Sequence, residues 1–232
     1  MKLIVFSDIH GNSYALDKFI EQVNGMTYDY LVFCGDIFGY YYNQKEIIKK
    51  LCALVKLIWL KGNHDEYFLN IYKGNTADKY YIQQYGHSYA DLAAHYSRRE
   101  AELIESHPSG YVLEESFCKT GIFHGTPKNC LEGRLYPDNP IQDSSEYEKY
   151  DLVILGHTHC RMLRKTGHTL ILNPGSLGQP RDGRGFSFAM ADTESKTVQF
   201  RTVDINRDLL YHQIDAFDPG LGKLKEVLER RA

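Results

Sequence analysis

The chain has 232 residues, of which 43% are hydrophobic and 25% are charged, with a formal net charge of −3 and an isoelectric point near 6.4. These values are ordinary for a globular domain, and they exclude a global basic field that would attract long nucleic acids. No apolar run reaches membrane-spanning length, and the run that follows Met1 is too short for a secretory signal peptide.

The N-terminal part of the chain alternates short apolar runs with amphipathic helical patterns. LIVF at 3–6, YLVF at 30–33 and LIWL at 57–60 have the length and composition of buried strands. Between them, hydrophobic residues recur at helical spacing within 16–23 and 47–55. This β-α-β-α-β order predicts parallel neighbouring strands that are joined by right-handed crossovers.

The segment from about 66 to 118 differs from its surroundings in composition. It is rich in Tyr, Gln, Ala and charged residues, and SRRE at 97–100 forms a capping-box pattern before a helical run. We interpret it as a helical insertion within a single domain that spans residues 1–232. The pattern fits both a lid over a functional site and a structural helical layer.

Strand patterns return in the C-terminal half. GIFH at 121–124, LVIL at 152–155 and LIL at 170–172 predict further strands. FSFAMA at 186–191 and VQFRTV at 198–203, joined by a turn-like DTESK, predict an antiparallel hairpin and favour a second sheet. The tail at 222–231 predicts a surface helix.

Polar side chains of the kinds that bind metal ions follow five of the apolar runs. Ligands bind beyond the carboxyl ends of strands in open α/β sheets, and parallel strands bring those ends to one rim. The residues at these ends are Asp8, His10, Asp36, Asn63, His124, His157 and His159. The HxH pair alone also fits two solvent-exposed loop histidines, but seven converging ligand-type residues favour a metal site.

The composition of this set restricts the metal. Carboxylate, amide and imidazole ligands without a thiolate suit Mn²⁺, Fe, Zn²⁺ or Ni²⁺, and they do not fit a cysteine-type structural zinc site. Seven ligands are too many for one tetrahedral ion and fit two ions that share a carboxylate. Two such ions clamp a phosphate and generate a hydroxide nucleophile near neutral pH.

The spaced pattern DIH, GD, GNHD, HG and GHTH resembles the calcineurin-like metallophosphoesterases from Asp8 to about Arg184. NPGSLGQPRDG at 173–183 is similar to the small bacterial and archaeal phosphodiesterase branch. The resemblance implies a four-layer α/β/β/α sandwich of two mixed sheets. It also implies a dinuclear phosphoesterase, with Mn²⁺ as the favoured ion, that cleaves a phosphodiester or nucleotide polyphosphate by attack of a metal-bridging hydroxide.

The same resemblance implies a role for each residue. One ion would be held by Asp8, His10 and His159. The other would be held by Asn63, His124 and His157, and Asp36 would bridge the two. His64 would contact the phosphate and protonate the leaving oxygen, and Asp65 would orient or tune His64.

Three further residues are candidate substrate contacts: Asn12, Tyr40 and Arg181. Asn12 fits a helix cap equally well, and Arg181 fits an ordinary surface arginine. The stretch GYYYNQ at 39–44 departs from the Gly-Pro-type loop of the family. Its tyrosines fit either stacking on a nucleobase or aryl leaving group, or packing on the insertion.

The expected partner is a small phosphoester or nucleotide, with no membrane and no bulk nucleic acid; homo-oligomer formation is left open. Five widely spaced cysteines without a CxxC pair predict free thiols and a cytoplasmic location. Two alternative functions stand beside the first. One is a phosphomonoesterase like the protein Ser/Thr phosphatases, and the other is a non-catalytic metal-binding scaffold, which the complete ligand set disfavours.

Overall fold

The structure, a computed structural model, describes residues 1–90, 92–115 and 118–230. Within these residues the strands are β1 (Lys2–Phe6), β2 (Tyr30–Phe33), β3 (Leu57–Trp59), β4 (Gly110–Glu115), β5 (Cys118–Phe123), β6 (Leu152–Leu155), β7 (Arg161–Thr166), β8 (Thr169–Pro174), β9 (Ser187–Asp192) and β10 (Thr197–Thr202). The α-helices are α1 (Ser13–Val23), α2 (Gln44–Ala53), α3 (Asn63–Tyr72), α4 (Asp78–Tyr85), α5 (Leu92–His95), α6 (Arg98–Ser106), α7 (Asp208–Phe217) and α8 (Lys223–Glu229). Short 3-10 helices lie at His87–Tyr89 and Ser144–Glu146.

The first sheet has the strand order β10-β9-β1-β2-β3. Its three N-terminal strands are parallel, with Val32 opposite both Val5 and Ile58. Helices α1 and α2 make the crossovers between them, so the predicted β-α-β-α-β unit is confirmed. The predicted hairpin of β9 and β10 also forms, but it pairs with β1 and extends the first sheet.

The second sheet has the order β4-β5-β6-β8-β7, with three parallel strands at its centre and an antiparallel strand at each edge. Because side chains alternate between the faces of a strand, Val5 and Val32 point into the same buried cluster as Ile122 and Ile154. The two sheets pack face to face through this cluster. The predicted sandwich of two mixed sheets flanked by helices is confirmed.

Two edge strands were missed by the sequence reasoning, and one of them corrects the insertion boundary. The helical stretch ends at Ser106 and not near residue 118, because Gly110–Glu115 pairs with β5. Strands β4 and β7 each bury a single side chain, Leu113 and Met162. Their sequences, GYVLEE and RMLRKT, mix apolar with charged residues, so these two strands lack the apolar run by which the others were identified.

The C-terminal segment is more buried than the predicted surface helix. Leu224, Val227 and Leu228 of α8 are buried in the main hydrophobic cluster, and the preceding helix α7 was not predicted. The hydroxyl of buried Tyr41 donates to the backbone oxygen of Leu224 at 3.3 Å. The tail therefore supports the loop that follows β2.

Two other sequence predictions concern the chain as a whole. All five cysteines are free thiols, as predicted. Among the described residues, no helix combines the length and apolar character that crossing a membrane requires.

Burial of α8 predicts that Leu224→Ala lowers the free energy of unfolding by about 2–5 kcal/mol, since truncating a buried leucine removes apolar contacts and leaves a cavity. Urea unfolding followed by circular dichroism measures the change. Lys223→Ala, exposed on the same helix, is the control and should stay within about 0.5 kcal/mol of the parent protein. Equal effects of the two substitutions would contradict a core role for α8.

Candidate metal centre

The seven predicted ligands lie together in the structure, beyond the ends of β1, β2, β3, β5 and β6. They come from residues as far apart in sequence as His10 and His159, whose Nε2 atoms are 3.0 Å apart. Their exposed fractions run from 0% to 6%. The parallel strand ends therefore meet at one rim, and the polar residues that they carry are buried there.

The first cluster contains Asp8, His10 and His159. Asp8 Oδ1 lies 3.4 Å from His159 Nε2 and 3.8 Å from His10 Nε2. One carboxylate oxygen and two ring nitrogens thus face a common point. Such a set of nitrogen and oxygen donors can hold one divalent ion.

The second cluster is built around His124. Its Nε2 lies 3.0 Å from Asn63 Oδ1, 3.2 Å from His157 Nδ1 and 3.4 Å from Asp36 Oδ2. The same Asp36 oxygen is 3.6 Å from His10 Nε2 of the first cluster. Asp36 therefore lies between the two clusters, at the position that the resemblance implied for a bridging ligand.

Two oxygens of the centre have no partner within the described part of the chain. Asp8 Oδ1 and Asp36 Oδ2 are buried and make no hydrogen bond there. A buried carboxylate oxygen without a partner is strongly unfavourable, so such atoms call for a ligand. Both oxygens face the imidazole nitrogens, and this donor set fits a divalent transition-metal ion.

Backbone carbonyl groups fix the orientation of most of the rings. The Nδ1 atoms of three rings lie at 2.6, 2.7 and 2.7 Å from carbonyl oxygens: His10 from Phe38, His124 from Cys34 and His159 from Gln179. A carbonyl only accepts, so each Nδ1 carries the proton and each Nε2 presents a lone pair to the centre. His157 is reversed, with Nδ1 toward the centre and Nε2 accepting from Arg134 Nε at 2.9 Å.

The backbone at the centre is strained. Non-glycine residues seldom adopt positive φ, and clusters of them mark functional sites. Five ligands do so, at 56°, 47°, 69°, 64° and 59°: Asp8, His10, Asp36, His157 and His159. The turns after the strands thus hold side chains in directions that ordinary extended or helical backbone would not give.

Burial also determines the charge state of the centre. It lowers the pKa of His10 and His159 and brings the pKa of His157 to about 3, so the rings are in the neutral form that binds metals. Burial, reinforced by the nearby carboxylates of Asp65 and Asp8, raises the pKa of Asp36 well above its usual value. The centre therefore lacks the positive charge that its carboxylates need.

Asp65 is close to the centre, but it has a different role from the one expected. Its carboxylate accepts from the backbone N–H groups of Gly62 at 2.9 Å, Asp36 at 3.0 Å and Ile37 at 2.8 Å. It therefore ties the loop after β2 to the start of α3. The Nδ1 atom of the His64 ring pairs instead with the hydroxyl of Tyr89 at 2.7 Å, so Asp65 does not hold that ring through Nδ1.

Among the three candidate substrate contacts, Asn12 has its polar atoms engaged within the protein. It is fully buried, its Oδ1 accepts from Ala15 N at 3.1 Å and its Nδ2 donates to Gly178 O at 3.1 Å. Asn12 is thus the cap of α1, the alternative that its sequence position allowed, and both ends of its amide are engaged within the protein. Arg181 donates from Nη2 to the hydroxyl of Tyr40 at 2.9 Å.

The tyrosines of the 39–44 loop divide between the site and the core. The ring of Tyr40 lies 4.7 Å from that of His10 and 5.1 Å from that of His64, so it covers the first cluster. Tyr41 is buried, and the hydroxyl of Tyr42 donates to Asp218 at 2.6 Å. Packing accounts for Tyr41 and Tyr42, whereas Tyr40 stays a candidate contact.

Sequence reasoning missed several residues that contact the ligands. Arg134 bonds to His157, Tyr89 bonds to His64, and Tyr67 accepts from Asn63 Nδ2 at 3.0 Å while donating to Glu132 at 2.9 Å. The last pair turns the amide oxygen of Asn63 toward the centre. These residues follow no strand end and belong to no motif, so the sequence held no signal for them.

Lowered histidine pKa values predict that the metal-free protein loses stability as the pH falls below about 6.5. Burial holds the pKa of each of these rings below its usual value: His10, His64, His157 and His159. These rings take up protons when the protein unfolds, so the free energy of unfolding is highest above the unfolded-state pKa of about 6.5. It declines as the pH falls toward the folded-state pKa, which is about 3 for His157. Burial raises the pKa values of Asp36 and Asp65, so these two carboxylates increase stability as the pH falls. We expect the four histidines to outweigh them.

Calorimetry of the chelator-treated protein between pH 7.5 and 5 tests this expectation, with the midpoint of unfolding expected to fall. His157→Gln should weaken the dependence, whereas His212→Gln, exposed on α7, should leave it unchanged. A midpoint that stays constant or rises on acidification would contradict the assignment of neutral buried rings.

The sequence and the structure can now be compared with known proteins. Residues 1–196 match the family model of the calcineurin-like phosphoesterase superfamily domain. A relative, protein MJ0912 of Methanocaldococcus jannaschii, is 26% identical over 236 residues, which cover 91% of each chain.

Solved structures share the fold. PH1004 from Pyrococcus horikoshii OT3 is similar with a TM-score of 0.79 and 21% identity, covering 100% of this chain and 99% of that one. A metallophosphoesterase from Sphaerobacter thermophilus gives 0.75 and 21%, covering 98% and 99%. An archaeal phosphodiesterase gives 0.51 and 21%, covering 88% and 100%. With the family model matching most of its length, the chain belongs to the calcineurin-like phosphoesterase superfamily.

Proposed function

We propose that this protein is a dinuclear-metal-dependent phosphoesterase whose substrate is a phosphodiester or a nucleotide polyphosphate. The observation that carries the proposal is the pair of clusters on either side of Asp36, together with the buried oxygens of Asp8 and of Asp36 itself that have no partner among the described residues. Membership of the superfamily supports phosphoester hydrolysis. The fold shared with an archaeal phosphodiesterase supports the diester class.

The residues of the centre fit two divalent ions, with Mn²⁺ favoured and Fe, Zn²⁺ or Ni²⁺ as alternatives. The first would be held by Asp8, His10 and His159, the second by Asn63, His124 and His157, and Asp36 would contact both. When bound, such ions supply a Lewis acid for phosphoryl oxygens and lower the pKa of water into the neutral range. The chain supplies binding, orientation and proton transfer around them.

His64 is the candidate general acid. It follows the ligand Asn63 at the start of α3, is 5% exposed, and has a ring nitrogen within 4.8 Å of ligand atoms of His10 and Asp36. From this position its N–H can contact a phosphoryl oxygen and donate a proton to the leaving oxygen. Tyr40 and Tyr85 pack on its ring at 5.1 and 4.7 Å and limit the access of water.

Two arginines lie on opposite sides of the centre. The charge of Arg181 contributes to the lowered pKa of His159, after burial, and that of Arg134 contributes in the same way for His157. The side chain of Arg134 is 54% exposed while it bonds to His157, so it reaches from the centre to solvent. We assign both guanidinium groups to the non-bridging oxygens of a substrate that lies across the metal pair.

The competing functions differ in measurable ways. A phosphomonoesterase of the same centre would prefer aryl monoesters to diesters. A scaffold would bind ions and hydrolyse none of these substrates. A comparison of bis(p-nitrophenyl) phosphate, p-nitrophenyl phosphate and dinucleoside polyphosphates separates these classes.

Removal and replacement of metal tests the proposal directly. Hydrolysis of bis(p-nitrophenyl) phosphate should disappear on chelation and return with Mn²⁺. Asp36→Asn should lower turnover by about 100-fold or more, because even residues that only support metal ligands contribute about 10–100-fold. Asp204→Asn, an exposed change after β10, is the control. Hydrolysis that is indifferent to chelation would contradict the proposal.

Arg134→Ala tests the substrate contact. Loss of a charge-assisted hydrogen bond, worth about 1.5–3 kcal/mol, should raise KM roughly 10- to 100-fold. Arg134→Lys should recover part of the loss, since lysine keeps the charge without the planar fork. Arg98→Ala, 87% exposed on α6, is the control. Metal content is measured in parallel, and an unchanged KM at full metal loading would count against this role.

A further inference from the structure

We propose that Tyr89 is a positioning residue for His64, and that its hydroxyl fixes the ring with the proton on Nε2, the nitrogen left to face the centre. The inference rests on the proposed function, in which the Nε2–H of His64 donates a hydrogen bond to the leaving oxygen as negative charge develops on it. Tyr89 belongs to the 3-10 helix His87–Tyr89 of the helical insertion. The insertion would thus help to stabilise the leaving group as well as covering the site.

The hydroxyl of Tyr89 contacts two atoms of His64. The Tyr89 side chain is fully buried, and its hydroxyl lies 2.7 Å from His64 Nδ1 and 3.3 Å from the backbone oxygen of His64. The hydroxyl can donate to Nδ1, or it can donate to the backbone oxygen while Nδ1–H donates to it, and we assign the first arrangement because only it leaves the ring proton on the nitrogen that faces the centre. Donation to Nδ1 leaves the neutral ring with its proton on Nε2.

The loop at Gly39 leaves the Nδ1 atom of His64 to be partnered by a residue of the insertion. A Cβ atom at Gly39 would overlap His64 Nδ1 and lie 3.2 Å from the hydroxyl oxygen of Tyr89. Its φ of 88° also disfavours any other residue there. The loop after β2 therefore places bare backbone against the ring edge. Since Asp65 is committed to backbone N–H groups, Tyr89 provides the hydrogen bond to Nδ1.

The turn that carries Tyr89 is fixed from the opposite side by Asp218. This buried carboxylate accepts from His87 N at 2.9 Å, from His87 Nδ1 at 2.7 Å and from the hydroxyl of Tyr42 at 2.6 Å. Gly86, at φ 88°, lets the chain approach Asp218 closely enough for these bonds. Tyr89 is thus held in place by the C-terminal segment before any substrate binds.

The inference predicts an effect that depends on the leaving group. A general acid matters most when the leaving oxygen is a poor leaving group, such as an alkoxide, and least for p-nitrophenolate. Tyr89→Phe keeps the ring and removes only the hydroxyl. We expect kcat to fall roughly 10- to 100-fold for an alkyl phosphodiester, the range of supporting residues, with KM and metal content unchanged. For bis(p-nitrophenyl) phosphate the decrease should stay below about 3-fold.

Tyr81→Phe is the matched control. The ring of Tyr81 packs 5.4 Å from that of Tyr89 within the same insertion. The variant therefore removes a neighbouring hydroxyl and leaves the contact between Tyr89 and His64 in place. It should behave like the parent protein on both substrates. An equal decrease on both substrates in Tyr89→Phe, or no decrease on either, would overturn the inference.

Nitrogen-15 NMR of the Zn²⁺-loaded protein gives a readout that is independent of activity. The parent protein should show a His64 ring protonated on Nε2, and Tyr89→Phe should shift the population toward the other tautomer. A parent ring protonated on Nδ1 would overturn the inference whatever the kinetics. If the parent protein hydrolyses no phosphoester while the NMR result holds, the proposed function fails and the hydrogen-bond assignment stands.

Discussion

The burial of two carboxylates with one unpartnered oxygen each is the constraint on which the rest of this structure depends. Asp8 and Asp36 are fully buried, and an uncompensated charge in such surroundings is costly by several kcal/mol. Burial lowers the pKa of His10, His157 and His159, so these rings provide lone pairs and no positive charge. A divalent cation would compensate the carboxylate oxygens and accept the lone pairs of the ring nitrogens at once. For this reason the geometry favours a metal centre over a hydrogen-bonded polar core.

The scaffold keeps this unfavourable arrangement in place through backbone contacts. Five ligands adopt left-handed φ angles, each of which costs about 1–3 kcal/mol, and the rigid strand ends on both sides hold them there. Asp65 joins two of the ligand-bearing loops by accepting backbone N–H groups from both. At Gly62 a Cβ atom would overlap Asp36 Oδ1, so only glycine allows α3 to start this close to the ligand. The network thus orders the candidate ligands within the protein itself.

Much of this centre could be predicted because strand ends follow simple rules. Short apolar runs mark central strands, parallel strands share a rim, and the polar residues that follow them, such as Asp8 and His124, must meet there. Strands β4 and β7 escaped prediction because their sequences mix apolar with charged residues. Tyr89 makes the contact with His64 that was expected of Asp65, since hydrogen-bond partners depend on how the insertion packs and the sequence carries no signal for that packing. Asn12 fits a cap or a contact equally well in sequence, and only its hydrogen bonds in the structure show that it is the cap.

The central claim is that two metal ions share the carboxylate of Asp36. Titration of the metal-free protein with Mn²⁺, followed by elemental analysis and electron paramagnetic resonance, tests this most directly. The account predicts two ions per chain with a spectrum of exchange-coupled Mn²⁺, and loss of that coupling in Asp36→Asn. One ion per chain, or two ions that give the spectrum of isolated Mn²⁺, would contradict it.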